Sequence, residues 1–221
     1  MATRLIDLSQ PIFSGMPRAG MMTNPEVREN GLDLGIQGVY MRWTDFNFAN
    51  HTGSHIDAPV HFFPKGKSLD DFPLETFMGP GVLLNIPSEP FEVITKMDLT
   101  KTGVEVRRGD IVLIRTGWGA KYGQADYLEH PSFTEDVAQW LVEKGAKMVG
   151  FDQITPEIAW SRRPKDYRYP MHRTLLGNEI FIMEHLNLER DVPTRMNVMA
   201  LPVSLRQANG SQARVVALVG A

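Results

Sequence analysis

Half of the histidines in this chain lie in one short segment. The sequence has six histidines in 221 residues, and three fall within the eleven residues that end at His61. With one aspartate they place imidazole, imidazole, carboxylate and imidazole groups at His51, His55, Asp57 and His61. Zinc, manganese and iron take such nitrogen and oxygen ligands, and a site without thiolate is more typical of catalytic than of structural metal. The segment therefore predicts a metal or acid–base site.

The spacing of these four residues favours an extended chain. All four positions are odd-numbered, and side chains alternate between the two faces of an extended chain, so this parity puts them on one side. On a helix only His51 and His55 would align. Gly53 and Pro59 also disfavour a helix here. The alternative is that exposed histidines cluster by chance, or that one or two are hydrogen-bonded core residues.

Mixed α/β structure is expected around this segment. Apolar runs bounded by glycine, proline or charge predict buried strands at 81–86, 110–116 and 147–151. The clearest helix has Thr134 as its N-cap and ends at Gly145. The strand that follows delivers Asp152 at its carboxyl end, where open α/β sheets usually place their chemistry.

The end of the chain predicts a hairpin. Its strands would cover 200–206 and 212–219, joined by a turn at Asn209 and Gly210. Proline cannot donate to a sheet ladder, so Pro202 indicates that the first strand starts late or lies at an edge.

No repeat, low-complexity tract or change in composition divides the chain, so we expect a single domain over residues 1–221. The stretch from Ser14 to Val39 has five glycines and two prolines without sustained periodicity. It is long for a structureless loop inside a compact domain. We therefore expect residues 14–45 to form an arm at a subunit interface.

A catalytic metal needs ligands from several parts of the fold, and the candidates outside the histidine segment are Asp152, His172, Glu184 and His185. Residues 171–177 predict a short helical turn, and 180–183 predict a buried strand that ends at Glu184. A carboxylate at such a position is either a surface residue or a site residue delivered by the sheet.

Composition excludes several classes of protein. The chain has no cysteine, which removes disulfide scaffolds, thiolate metal sites and thiol nucleophiles. A net charge of -3 argues against nucleic acid or anionic lipid as the main partner. No apolar run approaches the ~20 residues of a membrane helix, and polar residues interrupt the first sixteen, so we expect a cytoplasmic protein without a signal peptide.

The segment from His51 to His61 resembles the H-x-G-[TS]-H-x-D-x-P-x-H signature of the cyclase-like metal-dependent hydrolases, a family that includes bacterial kynurenine formamidases and isatin hydrolases. Residues 7–12 are similar to the family's opening strand and 109–118 to its strand and turn before the central loop. His172, with Leu175, Leu176 and Glu184, is similar to its distal metal motif. The resemblance implies one α/β domain around a mixed sheet with few helices, the cyclase-like swivelling β/α/β fold, and a homodimer or higher homo-oligomer.

The same resemblance implies roles for individual residues. His51, His55 and Asp57 match ligands of a first metal ion, and His172 and Glu184 match ligands of a second position, with Asp57 bridging. The cofactor is then zinc or manganese, with one or two ions per subunit. His61 matches the catalytic histidine, which would act as general acid and base while the metal activates water.

The implied activity is hydrolysis of an amide, formamide, imide or lactam C–N bond in a small cyclic or aryl molecule. Candidate substrate contacts are Phe62, Trp118, Trp160 and Arg163, although aromatic residues beside strands are more often core. Arg163 lies in a basic and aromatic stretch at 160–169, which is either a solvated loop or a lid whose arginine meets a substrate carboxylate. Formamidases tend to have D-x-x-S-x-D where this chain has Asp152-Gln-Ile-Thr-Pro-Glu157, so the substrate stays open.

Three alternatives remain at this point: a hydrolase of lactone esters, a metal-dependent lyase or cyclase that acts on a carbonyl, and a non-catalytic metal-binding module. The chain has no G-x-S-x-G, H-E-x-x-H or dinucleotide-binding G-x-G-x-x-G motif. Serine hydrolases, zincins and dinucleotide-binding enzymes are therefore set aside.

Overall fold

The computed structural model describes residues 3–18 and 22–220. Within these residues there are twelve strands and three helices. The strands are β1 (Arg4–Asp7), β2 (Glu26–Asp33), β3 (Tyr40–Asn47), β4 (His55–Asp57), β5 (Met78–Asn85), β6 (Val93–Ile94), β7 (Ile111–Arg115), β8 (Ser132–Phe133), β9 (Met148–Phe151), β10 (Phe181–Glu184), β11 (Arg195–Pro202) and β12 (Gly210–Val219). The helices are α1 (Lys96–Lys101), α2 (Glu135–Lys144) and α3 (Pro170–Gly177). No helix in the described part of the chain is both long and apolar enough to span a membrane.

Eight strands form one mixed sheet in the order β1-β12-β11-β5-β7-β9-β10-β4. Strands β5, β7, β9 and β10 are parallel neighbours, and the remaining pairs are antiparallel. Strand β4 also pairs with β12, so the sheet closes on itself. The prediction of a mixed sheet with few helices is confirmed.

Alternation along the strands divides the core in two. Leu83 and Leu113 point into the closed sheet, whereas their neighbours Val82 and Val112 point outward. Side chains of α2 and α3 cover that outer face, including the buried Trp140. Both faces of the central strands are therefore buried, which explains why their sequences are continuous apolar runs.

The helix predicted after Thr134 is present as α2. Gly145 ends it in the left-handed conformation, at φ +67°, as the sequence indicates. Thr134 precedes the helix but does not cap it through its side chain. Its hydroxyl lies 3.2 Å from the carbonyl oxygen of Ile94 and also contacts Asp136.

The C-terminal hairpin is present, but its predicted bounds are wrong. Strand β11 starts earlier than expected and lies inside the sheet, between β12 and β5. Pro202 ends this strand at its last pair, opposite Ala213, because proline cannot continue the ladder. Residues 203–209 form the connection, so Asn209 and Gly210 do not make a two-residue turn.

The N-terminal arm is more regular than predicted. Strands β2 and β3 form a two-stranded hairpin outside the main sheet, and residues 19–21 of the predicted arm lie outside the described residues. Leu32, Met41 and Trp43 share one face of this hairpin and are 44–48% exposed. Neither face of this hairpin is buried within the chain. Sustained alternation of polar and apolar residues is expected only where one face of a strand is buried, so the sequence did not predict these two strands.

Candidate active site

Strand β4 positions two of the predicted ligands. Ile56 points into the closed sheet, so His55 and Asp57 point to the outer face, and both are 1% exposed. Glu184 lies directly opposite His55 in the antiparallel register of β10. The Nε2 atom of His55 lies 3.3 Å from Asp57 Oδ1 and 3.4 Å from Glu184 Oε2.

His51 and His61 reach the same point from outside the strand. His51 lies in a turn before β4, and His61 ends the 3₁₀ turn Pro59–His61. The expected extended conformation therefore holds only over 55–57, because the chain turns at both ends of this short strand. The Nδ1 atom of His51 nevertheless lies 2.6 Å from Asp57 Oδ1, and the rings of His51 and His61 stack 4.0 Å apart.

Helix α3 brings His172 to the other side of Asp57. Its Nε2 atom lies 3.5 Å from Asp57 Oδ2 and 3.4 Å from Glu184 Oε1. Glu157 fixes this ring, because Oε1 of its carboxylate accepts from the backbone N–H of His172 at 2.9 Å and lies 2.8 Å from His172 Nδ1. The other oxygen of Glu157 accepts from the hydroxyl of Tyr167 at 2.5 Å.

The donor atoms at this point fit a metal ion. Among the described residues, His55 Nε2, Asp57 Oδ2 and Glu184 Oε1 are buried without a hydrogen-bond partner. Buried polar atoms are seldom left unpaired, so three such atoms in one place need a ligand. His55 Nδ1 donates to the carbonyl oxygen of Gly53 at 2.7 Å, which turns the lone pair of Nε2 toward the site. Imidazole nitrogen with carboxylate oxygen suits zinc or manganese.

In two groups of three residues, the candidate ligand atoms lie close enough together to bind one ion. Ligand atoms of His55, Asp57 and Glu184 lie within 4.8 Å of one another, and so do those of His51, Asp57 and His61. Asp57 belongs to both groups, which is the arrangement expected of a bridging carboxylate.

The ionisation of the site follows from its crowded charges. Burial opposes the charged form of Asp57, but the adjacent imidazoles of His51 and His55 hold its pKa well below the usual range. Burial likewise disfavours charged His55, whereas the carboxylates of Asp57 and Glu184 raise its pKa to about 8. His61 behaves differently, since burial lowers its pKa to about 4.

Two residues that the sequence did not single out as site residues, Glu157 and Asn209, contact the rings of candidate ligands. Glu157 orients His172. The sequence indicated Glu157 only as the carboxylate at the end of the stretch that begins at Asp152. Asn209 Oδ1 lies 3.0 Å from His51 Nε2 and also accepts from Asn50 at 2.5 Å. Asn209 had no signal beyond its resemblance to a turn residue.

A cavity of about 400 Å³ opens above these ligands. His51, Asp57, His61, His172 and Glu184 form one part of its lining, and the rest includes Phe62, Trp160, Tyr169, His130, Arg18 and Arg163. Three of the four expected substrate contacts therefore face the cavity. Trp118 does not: it is 2% exposed, its indole N–H donates to the carbonyl oxygen of Tyr127 at 2.8 Å, and it belongs to a separate small core cluster.

Arg163 is held in place by the stretch that contains it. Its guanidinium donates twice to the carbonyl oxygen of Ile158 and lies 4.5–5.2 Å from the ring centres of Trp160, Tyr167 and Tyr169. Trp160, Arg163 and Tyr169 therefore line the cavity, whereas most other residues of the stretch, including Arg162, Lys165 and Arg168, are exposed.

Asp152 and His185, two candidates from the sequence, lie behind the site. The carboxylate of Asp152 accepts from the backbone N–H groups of Thr116, Gly117 and Trp118, so it fixes the loop after β7. The Nδ1 atom of His185 lies 3.0 Å from the hydroxyl of Tyr127. Neither residue lines the cavity among the described residues.

Comparison with known proteins assigns the chain to a family. A family model described as "Putative cyclase" matches residues 6–158, which is more than half of the chain. This chain belongs to the cyclase family. A kynurenine formamidase of Bacillus cereus (strain ATCC 10987 / NRS 248) is 31% identical over 220 residues, which cover 96% of this chain and 95% of that relative.

Solved structures of the cyclase family have the same fold. The isatin hydrolase A of Ralstonia solanacearum superimposes with a TM-score of 0.84 at 24% identity, over 99% of this chain and 92% of that one. A protein of Bacillus stearothermophilus described as a predicted metal-dependent hydrolase has a TM-score of 0.77 at 28% identity, over 99% of both chains. The expected cyclase-like fold is thereby confirmed.

Proposed function

We propose that this protein is a metal-dependent hydrolase that cleaves the C–N bond of a small cyclic or aryl amide, formamide, imide or lactam. The observation that carries the proposal is the set of unpartnered buried atoms of His55, Asp57 and Glu184 at the floor of a cavity that also contains His61. Relatives named kynurenine formamidase and isatin hydrolase support the same reaction class.

We propose the ligand assignment that the family resemblance implies, which shares Asp57 but divides the residues differently from the two groups of close ligand atoms. His51, His55 and Asp57 would hold a first ion, and His172 and Glu184 would complete a second position that shares Asp57. Zinc or manganese suits these donors, with one or two ions per subunit. A divalent ion bound there supplies water of lowered pKa and polarises a substrate carbonyl.

His61 is the proposed general acid and base. Burial lowers its pKa to about 4, so the ring is neutral at pH 7 with a lone pair available, and once protonated it gives its proton up readily. The ring of His51 stacks on one side of it, and Phe62 contacts it edge-on at 4.9 Å. A ring held in this way can take a proton from water and return it to the leaving nitrogen.

A flat substrate suits the walls of the cavity. Phe62 stacks on His172 at 4.8 Å, and Trp160 lies across the same cavity with Arg163 against its ring. We propose that Phe62 and Trp160 contact the substrate ring and that Arg163 faces its most electron-rich substituent.

The test separates metal binding from turnover. The protein is loaded with Mn²⁺ or Zn²⁺ and assayed with N-formyl arylamines, isatin, lactams and lactones, while metal content is measured by elemental analysis. Asp57→Ala should lose bound metal and activity together. His61→Ala should keep its metal and lose at least about 100-fold in kcat, because general acid–base catalysis contributes that much.

Other outcomes would contradict the proposal. Loss of metal in His61→Ala would make His61 a ligand. Turnover of lactones alone would make the protein an esterase, and carbonyl chemistry without net addition of water would make it a lyase or cyclase. Inactivity on the whole panel with metal fully bound would favour a non-catalytic metal-binding module.

We also propose that the β2–β3 hairpin forms a homodimer interface. Leu32, Met41 and Trp43 make an apolar stripe on one face, and Ile36 at the tip is 62% exposed. Contiguous exposed apolar surface of this kind marks protein–protein contact.

A further inference from the structure

His130 lines the cavity but has no part in the chemistry proposed above. It follows the 3₁₀ turn Ala125–Glu129 and is only 2% exposed. The same cavity wall contains Thr155 and Arg163. The few polar side chains in a mostly apolar cavity are the groups that recognise the polar atoms of a ligand.

The tautomer of His130 follows from its one hydrogen bond. Nδ1 lies 2.8 Å from the carbonyl oxygen of Pro131. A carbonyl only accepts, so Nδ1 carries the proton and Nε2 has a free lone pair. The side-chain amide of Gln153 donates to the same carbonyl at 2.6 Å and thereby fixes it.

The ring of His130 is neutral. Burial lowers its pKa to about 4, and the nearby guanidinium of Arg163 acts in the same direction. At pH 7 Nε2 is therefore an acceptor and not a second donor.

Nε2 of His130 has no hydrogen-bond partner among the described residues, and it is not fully enclosed although the ring is buried. Because His130 lines the cavity, we infer that Nε2 is open to the cavity. A ligand that fills this space without offering a donor would leave Nε2 desolvated and unpaired, which costs binding free energy.

We propose that His130 is a specificity-determining residue whose Nε2 accepts a hydrogen bond from the N–H of a cyclic or aryl amide substrate. The inference rests on the proposed function for the class of substrate, and it narrows that class. Lactams, imides and anilides with a free N–H would be favoured over lactones and N-alkylated amides.

The test compares two ligands that differ at this one group, isatin and N-methylisatin. Binding to the metal-loaded protein is measured by isothermal titration calorimetry with His61→Ala in every sample to suppress turnover, and wild type here refers to position 130. Wild type should bind isatin about tenfold more tightly, the size of one neutral hydrogen bond. His130→Phe should abolish this preference mainly by weakening isatin binding. His130→Gln, whose amide oxygen can replace Nε2 as acceptor, should retain part of it.

Ser161→Ala is the matched control, because Ser161 is another polar residue of the cavity lining and its loss should leave the preference unchanged. Persistence of the preference in His130→Phe would show that the methyl group acts sterically and would overturn the inference. The inference would also be overturned if wild type showed no preference between the two ligands, or if neither ligand bound saturably. Nitrogen-15 NMR of the histidine rings should find Nε2 of His130 unprotonated at pH 7, and a protonated Nε2 would also contradict it.

Turnover by the metal-loaded enzyme distinguishes the two proposals. If wild type hydrolyses neither compound nor the rest of the panel, the proposed function fails while the binding comparison still decides the role of His130. If wild type hydrolyses both and His130→Phe loses equally in kcat/KM on both, the role of His130 fails while the proposed function stands.

Discussion

Glu157 lies behind the proposed metal site and orients one of its candidate ligands, His172. The carboxylate is fully buried, holds both the backbone N–H and the ring of His172, and has a pKa below the usual range because these hydrogen bonds outweigh its burial. If His172 binds the proposed ion through Nε2, a carboxylate that accepts from Nδ1–H would direct the Nε2 lone pair at the site and strengthen that bond.

Replacement of this charge should weaken metal binding. We expect Glu157→Gln to lower the affinity for Zn²⁺ or Mn²⁺ by at least about tenfold, measured by competition with a chelator, because outer partners of ligating histidines contribute that much. Glu143→Gln is the control, since Glu143 is an exposed carboxylate that pairs with Lys96. Equal affinities in both variants would mean that His172 needs no charged partner or does not bind the ion.

At the level of elements, periodicity predicted the parts of the fold whose burial is simple. The three apolar runs became β5, β7 and β9, and the helix that ends at Gly145 became α2. The hairpin β2–β3 was missed because neither of its faces is buried within the chain, so the alternation at residues 41–44 is not sustained along both strands. The early start of β11 was missed because Pro202 was interpreted as a sign of a late start or a sheet edge, whereas Pro202 is the last residue of the strand.

The candidate site was more predictable than the backbone that forms it. Residue types at His51, His55, Asp57 and His61 predicted convergence, and the side chains do converge although only β4 is extended. Distant partners such as Asn209 could not be found, because their proximity arises from strand pairing and not from spacing in the sequence.

The start of β12 must be a glycine for His51 to stay in place. An added Cβ at Gly210 would lie 2.5 Å from Cε1 of His51 and 3.0 Å from both ring nitrogens. Gly210→Ala should therefore displace this ring, destabilise the fold by about 1–3 kcal/mol and lower metal affinity by at least about tenfold. Chelator competition measures the affinity, and Ser204→Ala in the adjacent connection should match wild type. Unchanged affinity in Gly210→Ala would exclude His51 as a ligand held by this contact.

At the scale of the whole molecule, the β2–β3 hairpin should decide the oligomeric state. Trp43→Asp places a charge in the apolar stripe and should convert a dimer to a monomer, measured by light scattering after size-exclusion chromatography. Thr44→Asp adds the same charge to the opposite face of β3, where Arg42 and Glu29 already form an ion pair, and should leave the dimer intact. A monomeric wild type, or a dimeric Trp43→Asp, would contradict the proposed interface.

Closure of the main sheet determines how strand β4 separates from its neighbours during unfolding. Strand β4 has only three residues, and at an open sheet edge so short a strand would fray continually. Its two edges are instead occupied by β10 and β12, so it can leave only if the ring of strands opens. His55 and Asp57, which lie on this strand, consequently cannot leave the sheet through small local fluctuations. Their positions persist as long as the ring of strands does, and both are lost in the same cooperative event.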